Sequence, residues 1–82
     1  MYKIKQEKKK ELLSGRTMVY IAEITGYTRV YINEVFLGVR NIKEETVKKI
    51  LEAICNDSVK LNQKLNKEGI EKVLKYFFEK VD

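Results

Sequence analysis

The segment Arg29-Val30-Tyr31-Ile32-Asn33-Glu34-Val35-Phe36-Leu37 carries side chains whose chemistry matches the edges of base pairs. At about 100° per residue, Ile32 and Val35 fall on one side of a helix, and Arg29, Val30, Asn33, Glu34 and Leu37 on the other. An arginine donates two bonds to guanine O6 and N7. Asparagine pairs with adenine N6 and N7, glutamate accepts from cytosine N4, and an aliphatic group such as Val30 touches a thymine methyl. Groups suited to phosphate flank this face. Thr17 and Thr28 offer hydroxyls and free backbone N–H groups at helix starts, Tyr27 and Tyr31 offer phenols, and Arg40, Asn41 and Lys43 follow. The plainer reading is a solvated helix face. On that reading Arg29 pairs locally with Asn33 or Glu34, and Tyr31 covers the edge of its helix against the first.

Two helices about a tight turn would position these groups. The stretch TMVYIAEITGYTRVYINEVFL, residues 17–37, has the necessary spacing. Ala22 is small where two helices cross closely. Gly26, four residues on, tolerates the positive φ of a tight turn. Ile21, Ile24, Ile32 and Val35 supply the apolar faces that lock the pair. Thr17 caps the first of the two helices, Thr28 caps the second, and Gly38 ends it.

Around this pair the sequence predicts an all-α fold of five or six helices. A first helix runs from about Ile4 to Leu13, places Leu12, Leu13 and Ile4 toward the core, and ends at Ser14-Gly15. After the loop Val39-Arg40-Asn41, Asn41 caps a further helix, with Glu44 completing a capping box. Val47, Ile50, Leu51 and Ile54 give that helix a stripe at i, i+3, i+4, i+7, and it ends near Asn56-Asp57. Residues 1–57 read as the binding domain. Residues 58–82 read as a C-terminal helical segment for packing or dimerisation, one helix or two, weakened between Asn66 and Gly69. Its apolar row Ile70, Val73, Leu74, Phe77, Phe78 and Val81 keeps helical period. Phe77 and Phe78 point about 100° apart, so one is expected to anchor the helix and the other to meet a partner subunit.

Composition narrows the function. The 82 residues carry a net charge of +5, which suits a polyanionic partner. The excess is concentrated in residues 1–16, six Lys/Arg against two Glu, where Lys8, Lys9 and Lys10 read as a solvated face. With no histidine and one cysteine, Cys55, neither a zinc site, an internal disulfide nor a nucleophile–base pair can be assembled. Cys55 reads as a buried thiol in a reducing compartment. No cofactor, enzymatic activity, small-molecule effector or membrane association is expected, and the location expected is cytoplasmic.

The chain resembles the lambda-repressor/Cro-like helix-turn-helix family of phage and plasmid regulators over about residues 11–56. The resemblance rests on Gly15-Arg16-Thr17, Ile21-Ala22, Thr25-Gly26-Tyr27-Thr28, Ile32, Val35 and Gly38. The stretch IKEETVKKILEAI also looks like the third helix of lactose-repressor-type headpieces, but a helix ahead of Thr17 favours the phage type. Two positions depart from the family pattern. Met18 stands where a phosphate-touching glutamine is common, and Leu37 where a polar residue is usual. The resemblance implies a transcription regulator, of repressor type, that places residues 28–37 in the major groove of double-stranded DNA. Two reading helices about 34 Å apart multiply affinity, so a homodimer through the C-terminal helix is expected. The competing expectation is a protein-interaction module, an antirepressor or a small assembly subunit, which would use Val30, Leu37 and the C-terminal row as its contact surface.

The helix crossing generates a direct expectation. Ala22→Leu should lower stability by about 1–3 kcal/mol through overpacking. An unchanged thermal melt would reject a close crossing at that residue.

Overall fold

The computed structural model describes residues 1–81. Strand β1 (Tyr2–Ile4) leads through a single 3-10 turn (Gln6–Lys8) into α1 (Lys9–Leu13). Helices α2 (Met18–Thr25), α3 (Arg29–Leu37), α4 (Glu44–Asn56), α5 (Val59–Glu68) and α6 (Ile70–Phe77) follow, and β2 (Phe78–Lys80) comes last. The architecture is all-α, with six helices among the described residues and one small antiparallel pair in which Tyr2 faces Lys80 and Ile4 faces Phe78.

Local signals account for most helix ends. The Thr17 hydroxyl accepts from the Tyr20 amide at 3.2 Å and the Thr28 hydroxyl from the Tyr31 amide at 3.1 Å, so each caps its helix. Ser58 does the same for α5 through Leu61 N at 3.3 Å. Gly26 and Gly38 close α2 and α3 at φ 80° and 77°, a region open to glycine without strain. At Gly38 space is also short, because a Cβ would stand 3.0 Å from Gln6 Nε2.

The core is one cluster. It is centred on the α4 row Val47, Ile50, Leu51 and Ile54, all 0% exposed. Ile21 and Ala22 of α2, Ile32, Val35 and Phe36 of α3, Leu61 of α5, and Val73, Leu74 and Phe77 of α6 join it, with Ile4 and Phe78 from the two strands. Cys55 is buried among them, and burial raises its thiol above the ordinary range.

The structure corrects four expectations. The first helix does not begin at Ile4. Residues 2–4 are extended because Tyr2 exchanges backbone bonds with Ile42 (2.7 and 2.9 Å) while β1 pairs with β2. That same bridge displaces the expected cap at Asn41. It holds Ile42 extended and buried, so α4 starts at Glu44 with Lys43 at its N-cap and no side-chain cap. The C-terminal row is not one helical face for a partner subunit. Gly69 separates α5 from α6, the helix stops at Phe77, and the switch to strand turns Phe78 inward. Phe77 and Phe78 are thus both buried in their own subunit, at 0% and 1% exposed, and this removes the C-terminal helix as the basis for a homodimer. Lys8 is not a free solvated charge either but a half-exposed, engaged one. Its Nζ donates to the Tyr76 hydroxyl at 3.0 Å and lies 4.1 Å from the ring centroid, while Tyr76 donates to Glu11 Oε1 at 2.7 Å.

A clasp ties the entry of α2 to the end of α4. Arg16 Nε meets Asp57 Oδ2 at 2.7 Å, a second guanidinium nitrogen donates to the Asp57 carbonyl, and the Tyr20 hydroxyl donates to Asp57 Oδ1 at 2.8 Å. The guanidinium answers both the carboxylate and a carbonyl at the negative end of the α4 dipole.

Two outcomes follow from this packing. A chain ending before Ile70 loses Val73, Leu74, Phe77 and Phe78 from the core, each worth about 1.5–3 kcal/mol of burial, against a typical total stability of about 5–15 kcal/mol. It should fail to fold by circular dichroism, and a cooperative melt near that of the full chain would contradict the single core. The second outcome concerns acid. Arg16, then Tyr20, hold the Asp57 carboxyl below its usual range. A depressed carboxyl stabilises above its unfolded pKa of about 3.9, and that contribution disappears as pH falls through the lower folded value. Urea midpoints should therefore drop in this acid window, and Asp57→Asn should remove part of the drop. A variant with the parent's full acid dependence would show that the clasp does not contribute.

Candidate nucleic-acid interface

The surface that matters is the side of α3 turned from the core. Ile32, Val35 and Phe36 face inward at 0–1% exposed. They recur at i, i+3 and i+4, and so fix which side is left outward. Arg29, Val30, Asn33 and Leu37 are exposed, Val30 at 68% and Leu37 at 60%. The sequence-expected face is therefore assembled on one helix surface, apart from one member. Glu34 is half-buried at its edge, and its carboxylate is occupied. Arg40 brings Nε and a terminal nitrogen to Glu34 Oε1, at 2.8 and 2.7 Å. The local pair is thus Glu34–Arg40. Arg29 makes no ion pair among the described residues.

The flanking groups are held by different means. The Tyr27 and Tyr31 rings lie 5.0 Å apart at a 33° tilt, and the Arg40 guanidinium sits 4.9 Å over the Tyr31 ring. A cation over an aromatic face is attracted by its quadrupole, so Tyr31 and Glu34 together fix where Arg40 points. Burial, then the Tyr27 neighbour, raises the Tyr31 phenol above its ordinary range. Tyr31 is half-buried against the core cluster beside Tyr27. Thr17 and Thr28 use hydroxyl lone pairs to cap the Tyr20 and Tyr31 amides, which leaves their O–H hydrogens free to donate and the amides of Met18, Val19, Arg29 and Val30 open. Asn41 and Lys43 are exposed on the segment between α3 and α4.

Two supports of this surface were not foreseen. Phe36 is fully buried, and its place in the i, i+3, i+4 row with Ile32 and Val35 was a legible signal. Gln6 donates Nε2 to the Phe36 carbonyl at 3.1 Å and so satisfies an end carbonyl of α3. That contact has no local sequence signal, because it needs the 3-10 turn beside α3. Helix α3 is thus gripped by α2 on one side and by the β1 segment on the other.

A family model described as helix-turn-helix matches residues 5–54, which runs from the end of β1 through nearly all of α4. No curated protein and no solved structure matches the chain significantly. The match takes in the capped helix pair α2–α3, its Gly26 turn and the α4 row that supports it, and the chain belongs to the lambda-repressor/Cro-like helix-turn-helix family of DNA-binding regulators.

Proposed function

We propose that the chain is a sequence-specific transcription regulator, a repressor of phage or mobile-element type, which lays α3 in the major groove of double-stranded DNA. The observation that carries this reading is the exposed row on α3, with Arg29 unpaired among the described residues, held rigidly between α2 and β1. Arg29, Val30, Asn33 and Leu37 meet base edges. Glu34 keeps Oε2 for a cytosine N4 donor while Oε1 holds Arg40. Thr17, Tyr27, Thr28, Tyr31, Arg40, Asn41 and Lys43 meet the sugar-phosphate backbone. No helix among the described residues is long and apolar enough to cross a membrane, and the site of action on this reading is the cytoplasm. Two copies act on half-sites about 34 Å apart, joined through a surface other than the buried C-terminal row. Integrase or replication genes beside a divergent promoter would support the mobile-element setting.

A second reading has one specific observation in its favour. Val30, Leu37 and Val39 are exposed at 68%, 60% and 73%, and such aliphatics also suit a protein partner, as in an antirepressor or a small assembly subunit. Salt separates the two. Binding to duplex DNA weakens steeply with salt as cations are released from phosphates, whereas an apolar protein contact does not.

Arginine substitutions test the assigned roles. On a duplex selected from random sequence, Arg29→Ala should cost about 1–3 kcal/mol, with little effect on unselected DNA. Arg40→Ala should weaken both alike and make the salt slope shallower by about one unit. Equal behaviour of the two variants on both DNAs would overturn the division into base and backbone contacts.

A further inference from the structure

The centre of the outward α3 face is apolar. At 100° per residue, Val30 and Leu37 lie within about 20° of one another, on the side directly opposite Ile32, Val35 and Phe36. Both are among the most exposed large hydrophobic residues in the chain. Asn33 lies between them along the helix and slightly to one side. The rim of the row is cationic. Arg29 stands at its start without an acidic partner among the described residues, and Glu34, the only carboxylate of α3, is neutralised by Arg40. An apolar centre with a cationic rim fits a groove that has phosphate walls and methyl groups on its floor. In the major groove only thymine offers such a methyl.

Resting on the DNA-binding reading, we infer that Val30 and Leu37 each pack on a thymine methyl, at two different base pairs of one half-site, with an adenine beside them for Asn33. Seven helical residues separate the two side chains by about 10.5 Å along the helix, so they reach different base pairs rather than one. The row thereby selects A·T pairs at its centre, whereas Arg29 at the end of the row selects guanine.

Replacing thymidine by deoxyuridine tests this, because it removes the methyl and keeps every hydrogen bond. Duplexes are first selected from random sequence with the full chain, then resynthesised with deoxyuridine at one thymidine at a time, and affinities are compared at fixed salt. Two positions in one half-site should each lose about fourfold in affinity, the effect of returning one buried carbon to water. Val30→Ala should abolish the sensitivity at one of them and Leu37→Ala at the other. Both side chains are exposed, and unchanged thermal melts would verify that the variants fold. A selected duplex indifferent to deoxyuridine, or sensitivity that survives both substitutions, overturns the inference and leaves DNA binding standing. Failure to select any duplex overturns both and leaves the aliphatic row to a protein partner.

Discussion

The buried α4 row of Val47, Ile50, Leu51 and Ile54 is the constraint on which the rest depends. Helices α2, α5 and α6 all pack on α4, but α3 finds its main neighbours in α2 and β1. Helix α3 is thus carried at one remove from the core's centre. The contacts close a ring: α4 holds α2, α2 holds α3, α3 meets β1, β1 pairs with β2, β2 continues from α6, and α6 returns to α4. Each link is short, and several are single strands or turns. Closing the ring supports α3 from both sides, which a helix pair alone would not do. For this reason the C-terminal segment is tied to α3 although it lies far from it in sequence.

The outward face of α3 combines order with unequal electrostatics. Arg40 is restrained by Glu34 and Tyr31 before any ligand arrives, so little side-chain entropy remains to be lost on contact. Arg29, by contrast, is exposed and free of acidic neighbours among the described residues. Between them the face is aliphatic, with one asparagine. Such a surface gains little from charge at its centre and much from shape. On the proposed reading, specificity comes from methyl groups, one amide and Arg29, and affinity from Arg40 and the other backbone-facing groups.

What the sequence disclosed was what is local. Thr17, Thr28, Gly26 and Gly38 announced the helix pair because caps and turns depend on residues within a few positions. The α4 stripe was legible because thirteen residues in one helix sample its period several times. The outward residues of α3 followed from the same periodicity. The failures were non-local. Two three-residue strands carry no pattern of their own, and β1 finds β2 only through the folded core. Asn41 and Glu44 have the spacing of a capping box, yet the Tyr2–Ile42 bridge outcompetes it. Phe78 fits the helical row of Val73, Leu74 and Phe77, but its backbone is extended at φ −124°. The Glu34–Arg40 pair spans the end of a helix, where simple i, i+4 reasoning does not reach.

The most direct measurement of the central claim, that α3 and its flanks form the DNA surface, is a residue-resolved amide NMR titration of the full chain with a selected duplex. The account predicts that perturbed amides concentrate at the starts of α2 and α3, along the outward positions of α3, and through residues 38–43. Perturbations concentrated on α5 and α6, or scattered evenly along the lysines, would contradict it.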